Sequence, residues 1–271
     1  MVDLATLGAD MPEGVPIPRV IPCLLLDDEA MVKTVRFATP AYLGDPINVI
    51  NLFNRFEVDE ITLLDIGASR RGDPPPFELI ERLAAECWVP LAYGGGIRTM
   101  DDVRTVLGSG VEKVVLGTVA HDRPEMIAEA AEVYGSQAVV VSVDARRTDH
   151  GFEVFVAGGE RPVGSTAAAH AQRAAKFGAG EILVTSIDRD GTMEGYDLEL
   201  IRSVTEAVDV PVIACGGAGA RDHLPVPIRD AGASAVAAGS IFVFRGAERG
   251  VLINFPEREQ LEALFADSGS T

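Results

Sequence analysis

Basic side chains are in short supply along this chain: 23 Lys and Arg stand against 41 Asp and Glu, for a formal net charge of −18. So acidic a surface repels phosphate backbones and anionic lipid, which argues against nucleic-acid and membrane partners. An anionic small molecule is still acceptable where a local pocket overrides the overall field. Cysteine is sparse as well. Cys23, Cys87 and Cys215 stand far apart, in or beside apolar runs and without a CxxC pair, and read as buried free thiols of a reducing cytosol. The four histidines, His121, His150, His170 and His223, show no ligand spacing, so no metal or other cofactor is expected. Ser, Cys and His show no nucleophile signature either. No apolar run approaches the length of a membrane span. Residues 1–18 have neither a basic start nor a continuous apolar stretch, so they read as a flexible lead-in rather than a signal peptide.

What the chain does have is apolar residues, 47% of 271, ample for a sizeable core. Short β-branched runs recur and predict strands near 19–26, 60–66, 90–94, 113–117, 138–144, 181–186, 211–215 and 235–239. Helical patterns fill the gaps, for example over 77–87, 123–134 and 197–208, with Pro124 and Asp197 as helix openers. Eight strands alternating with helices predict an α/β chain folded as one (β/α)8 TIM barrel over 19–266. A last helical pattern over 261–271 frays into a disordered tail at 267–271. "HGFEVFVAGGERPVG" (150–164) alternates about a Gly-Gly turn and predicts a small hairpin after the fifth strand.

An internal repeat supports the barrel. "YGGGIRTMDDVRTVLGSGVEKVVLGT" (93–118) aligns without gaps on "CGGAGARDHLPVPIRDAGASAVAAGS" (215–240), and "ELIERLAAECWVP" precedes one copy as "ELIRSVTEAVDVP" precedes the other. The expectation is a half-barrel duplication with two equivalent sites. In both copies a glycine cluster ends one strand, and a Gly-Thr or Gly-Ser pair (Gly117-Thr118, Gly239-Ser240) ends the next. Glycine lets backbone N–H groups approach a phosphate, and the hydroxyl adds a donor. Tight barrel turns need glycine too, but two matched copies favour a ligand with a phosphate at each end.

Acids collect at strand ends: Asp65, Asp144, Asp188 and Asp190, the last two after Thr185 and Ser186. Asp144 ends an apolar run and is a candidate for proton transfer, with a carboxylate held by Arg146, Arg147 or backbone donors as the alternative. Asp65 and Asp188 are expected to be structural. At the opposite strand ends, Arg19, Glu60, Lys113 and Glu181 each precede an apolar run. They are either solvated rim charges or, if turned inward, a mixed-sign ring able to gate a small guest.

Taken in order, "RVIPCL", "GDPI", "DEITLLDIGAS", "GGGIRT", "YGSQAVVVSVDARR", "GAGEILVTSIDRDGTMEGYD" and "PVIACGGAG" cover more than four fifths of the chain. They resemble the cyclase subunit of imidazole glycerol phosphate synthase, of histidine biosynthesis. The resemblance implies a glutaminase partner at the barrel bottom, beside Glu112 and Lys113, and ammonia passing a gate of Arg19, Glu60, Lys113 and Glu181. It implies a phosphorylated ligand at the top, held by Gly96, Thr118, Gly191, Gly217, Gly239 and Ser240, with Thr185 and Asp190 beside it. Asp144 and Lys33 fall on family catalytic positions. Two departures stand out. The second catalytic aspartate of the family falls on Leu25, which can neither donate nor accept a proton, and a phosphate-turn asparagine falls on Gly117. Asp27, two residues beyond Leu25, is a substitute only if the backbone is rearranged. "PCLLL", "PLAYGGGIRT", "AVAAGSIFVF" and "GVLINFPERE" resemble a paralogue group of surface-polysaccharide and sialic-acid-like sugar pathways. There the implied role is channelling ammonia, together with an ATP-using amidotransferase. A cyclase in histidine biosynthesis and a non-catalytic phosphate-binding barrel remain the alternatives.

Overall fold

The computed structural model describes residues 17–246 and 249–267. Most of the lead-in and the tail from residue 268 lie outside them. The strands of the main sheet in chain order are β1 (Arg19–Asp27), β2 (Ala30–Lys33), β3 (Ala41–Gly44), β4 (Ile61–Asp65), β5 (Leu91–Gly94), β6 (Lys113–Leu116), β7 (Val139–Thr148), β8 (Gly151–Val156), β9 (Arg161–Thr166), β10 (Glu181–Ser186), β11 (Val212–Cys215) and β12 (Ala235–Ala238). Strands β1, β4, β5, β6, β7, β10, β11 and β12 pair in parallel in that order. Pairing of β12 with β1 closes the circle. With helices between the strands, this is a (β/α)8 barrel.

The short strands close because their side chains alternate between two apolar environments. Val20, Leu24 and Leu26 face the helices, together with Leu63, Val114, Leu116 and Val141. Ile21, Cys23, Ala92, Val115, Val140, Leu183, Ile213, Cys215, Ala235 and Ala237 fill the lumen. Period two along β1 therefore points Arg19, Ile21, Cys23 and Leu25 inward from bottom to top. The same parity puts Glu60, Thr62 and Leu64 in line, and likewise Lys113, Val115 and Gly117. Glu181, Leu183 and Thr185 form another such line, as do Val140, Ser142 and Asp144.

The predicted helices are present as Phe77–Glu86, Glu125–Tyr134 and Leu198–Thr205, and the last helix spans Arg258–Asp267. Asp197 caps its helix by accepting from Leu200 N at 3.1 Å. The hairpin after the fifth barrel strand is β8–β9. It also pairs with an extended β7, so a three-stranded antiparallel flap rises from the barrel top. A second meander was not foreseen: β1 runs on into β2 and β3. The two halves share one feature at their strand ends. Short helices begin at Thr118 and Ser240, directly after β6 and β12.

Candidate functional site

At the bottom mouth the four strand-leading charges turn inward and form a closed ring. Arg19 Nη1 donates to Glu60 Oε2 at 2.6 Å, and Arg19 Nη2 donates to Glu181 Oε1. Lys113 Nζ completes the circle to Glu60 Oε2 at 2.7 Å and Glu181 Oε2 at 2.9 Å. Each acid thus meets both bases, and the bland expectation of separate solvated rim charges gives way to a network. Burial alone would lower the Arg19 guanidinium; Glu181 and Glu60 more than offset this and hold it above its ordinary value. One acceptor, Glu60 Oε1, is buried without a hydrogen-bond partner.

Above the ring the lumen is apolar up to the two thiols. Cys23 and Cys215, remote in sequence, meet here; the hydrogen bond between them and their burial push Cys23 well above the ordinary thiol range. A cavity of about 130 Å³ opens over them at the top. Its wall includes every residue assigned to catalysis or ligand binding from the sequence: Lys33, Gly96, Thr118, Asp144, Thr185, Asp190, Gly191, Gly217, Gly239 and Ser240. The glycine positions are sterically demanding. Gly217 has φ +110°, and a Cβ there would stand 2.2 Å from the Gly195 carbonyl oxygen; Gly191 has φ +70° and would meet Thr34 O at 2.3 Å.

The acids of the cavity separate by their partners. Asp144 accepts from Ser142 Oγ at 3.0 Å and from the Thr185 hydroxyl. Desolvation outweighs both donors and raises its pKa to about 6. Arg146 and Arg147, the alternative holders, are engaged elsewhere: Arg146 lies over the Phe155 ring, and Arg147 stacks on Phe152 and binds Glu199. Asp190 is occupied. It accepts from Lys33 Nζ at 2.8 Å and from Thr34 Oγ1 at 3.1 Å. Asp65 caps a turn through Gly67 N and Ala68 N, and Asp188 accepts from Arg147 N.

Leu25 is buried in the cavity wall. Asp27 does not replace an acid there: it is absent from the cavity wall and binds Arg71 Nη1 at 2.5 Å. Ser142 and Phe37 also line the cavity and were not singled out from the sequence. Ser142 precedes Asp144 by two residues, so strand parity was the signal that could have found it. Phe37 offered none.

The profile of histidine biosynthesis proteins matches residues 19–248. The chain belongs to the histidine biosynthesis protein family. Among its relatives, a Leptospira interrogans protein provisionally named imidazole glycerol phosphate synthase subunit HisF is 45% identical over 250 residues, 92% of this chain and 98% of the relative. A Pseudomonas aeruginosa protein, provisionally subunit hisF2, is 47% identical over 245 residues, covering 90% and 98%. The Streptomyces avermitilis protein named imidazole glycerol phosphate synthase subunit HisF is 48% identical over 227 residues, covering 83% and 90%. HisF-type sequences are thus similar over nearly the full length of this histidine biosynthesis family member.

Proposed function

We propose that this chain is a HisF-type barrel subunit that receives ammonia from a glutaminase at its bottom mouth. In this reading ammonia passes the Arg19–Glu60–Lys113–Glu181 ring and travels up the lumen to an acceptor at the top. The observation that carries the reading is the pairing of an intact charged ring with Leu25 in the cavity wall. Closing an imidazole ring calls for proton donation and removal at separated positions. Asp144 is the cavity acid without a cationic partner; Asp190 is spent on Lys33 and Asp65 on its turn. The acceptor accordingly lies outside histidine biosynthesis, in amide or amidine formation on a sugar with an ATP-using amidotransferase. The provisional name hisF2 of the Pseudomonas relative is in keeping with a paralogue.

The second reading is a histidine-pathway cyclase that works with Asp144 alone, favoured by the name of the Streptomyces relative. Turnover of the histidine-pathway bisphosphate with excess ammonium salt and no glutaminase separates the two. Folded wild-type protein should bind the bisphosphate and give no imidazole product. Product formation would overturn the conduit reading and return the chain to histidine biosynthesis.

A further inference from the structure

The two ends of the cavity are not equally equipped for a phosphate. At one end Lys33, itself paired with Asp190, and Ser240 accompany Gly217 and Gly239. At the other, Gly96, Gly117 and Thr118 offer a hydroxyl but no cation of their own. Gly117 is open: a Cβ there would have Ser142 Cβ at 3.9 Å as its nearest neighbour. An anion at this end would sit in a chain of net charge −18, and the nearby Arg98 guanidinium is turned onto the Gly96 and Gly72 carbonyl oxygens.

Arg70 stands beside this end. It lines the same cavity, and its Cδ and Nε lie 3.2 and 3.3 Å from where a Cβ on Gly158 would be. The neighbouring Ala157 N donates to Thr118 Oγ1 at 3.0 Å, so the 157–158 turn bridges the arginine to the hydroxyl. That bond uses the hydroxyl as acceptor and leaves its O–H free to donate. Arg70 is weakly engaged: its ion-pair partner among the described residues is Glu160 Oε1 at 3.5 Å, and the Glu160 side chain is 62% exposed. Its neighbour Arg71 differs, being held by Asp27 and Asp73 and lying near Asp65. The internal repeat adds an independent observation. The offset that sets Glu78 on Glu199 sets Arg70 on Gly191, a glycine of the opposite phosphate turn.

We propose that Arg70 is the cationic clamp for the phosphate at the Gly96–Thr118 end of the cavity. It swings from Glu160 onto the phosphoryl oxygens and supplies there the charge and donors that Gly117 lacks. The ligand class is a small molecule with a dianionic phosphoryl group at that end, and the proposal rests on the phosphate-binding reading of the cavity.

Calorimetric titration of the full chain with the histidine-pathway bisphosphate, and with inorganic phosphate as a second probe, tests this on wild type, Arg70→Ala, Arg70→Lys and Glu160→Gln. Loss of a charge-assisted clamp should weaken bisphosphate binding by about tenfold or more in Arg70→Ala. Arg70→Lys should recover part of the loss, and Glu160→Gln should bind as well as wild type or better. If the Arg70–Glu160 pair is merely structural, Glu160→Gln falls in parallel with Arg70→Ala and the proposal is overturned. Wild-type affinity in Arg70→Ala overturns it as well and leaves the phosphate reading standing. Failure of wild type to bind either probe overturns both.

Discussion

Asp144 is asked to stay protonatable near neutral pH inside a wall that would be more stable without it. Its pKa of about 6 lies above the ordinary carboxylate value of 3.8, so the folded state prefers the proton. The stability this group contributes is fully present below the unfolded pKa and is lost as pH rises from about 4 through about 6. The loss is about 2–3 kcal/mol at one pKa unit per 1.36 kcal/mol. Asp144→Asn should therefore raise the melting temperature above pH 6, with the gain vanishing below pH 4, while abolishing any proton transfer at the cavity. A thermal melt series from pH 4 to 8 checks this; a pH-independent increment would contradict it. Leu25→Asp should do the reverse, lowering stability at pH 8 by burying a second carboxylate in the same wall. Leu25 also marks how far residues can be read singly: its inward orientation followed from strand parity. That Asp27 is drawn off by Arg71 did not, because their pairing depends on where the 68–71 turn folds back.

Among elements, the β1–β2–β3 meander carries the most consequence for the site. Lys33 and Thr34 both bind Asp190, Arg36 N donates to Asp190 O, and Arg36 Nε donates to the Asp188 carbonyl oxygen. The meander is thereby tied to the loop after β10. Lys33→Met would leave Asp190 buried without its cation, costing about 3 kcal/mol. Hydrogen exchange should then accelerate across residues 30–44 while the barrel strands stay protected. Gly191→Ala should loosen the same contact by pressing on Thr34 O. The sequence did not announce this meander, and the backbone explains why. Its bends are made by Asp28, Glu29, Arg36 and Phe37, all at positive φ, where glycine or asparagine would ordinarily mark a turn. The flap of β8 and β9 was legible because Gly158 and Gly159 do mark its bend. The eight barrel strands were legible because apolar runs of the right length recur.

For the whole molecule, closure of the barrel is what turns scattered letters into groups. Arg19, Glu60, Lys113 and Glu181 come from four strands and read as isolated charges until β12 pairs with β1. The thiols of Cys23 and Cys215 meet for the same reason. In the ring each base holds two acids, so removing Lys113 strands charge on Glu60, which is almost fully buried. Lys113→Met should cost about 2 kcal/mol or more, and Lys113→Met with Glu60→Gln should cost less than the two single losses added together, measured as denaturant midpoints in a double-mutant cycle. The acidic surface acts in the opposite sense to this ring. With a net charge of −18, the native state should gain melting temperature as salt rises from low to moderate concentration, through screening of self-repulsion.

Strand β1 works as a ruler. From Arg19 to Leu25 it runs six residues, about 20 Å at strand rise, with Ile21 and Cys23 as the only inward rungs between. Across that distance charges at the two mouths couple by under about 1 kcal/mol at an effective dielectric of about 20, so a letter can be rewritten at one end with little notice at the other. Parity is what they cannot escape. Deleting one residue between them would turn Arg19 to the helices or Leu24 and Leu26 to the lumen. Descent can edit either mouth by replacement, but not by adding or removing a single residue.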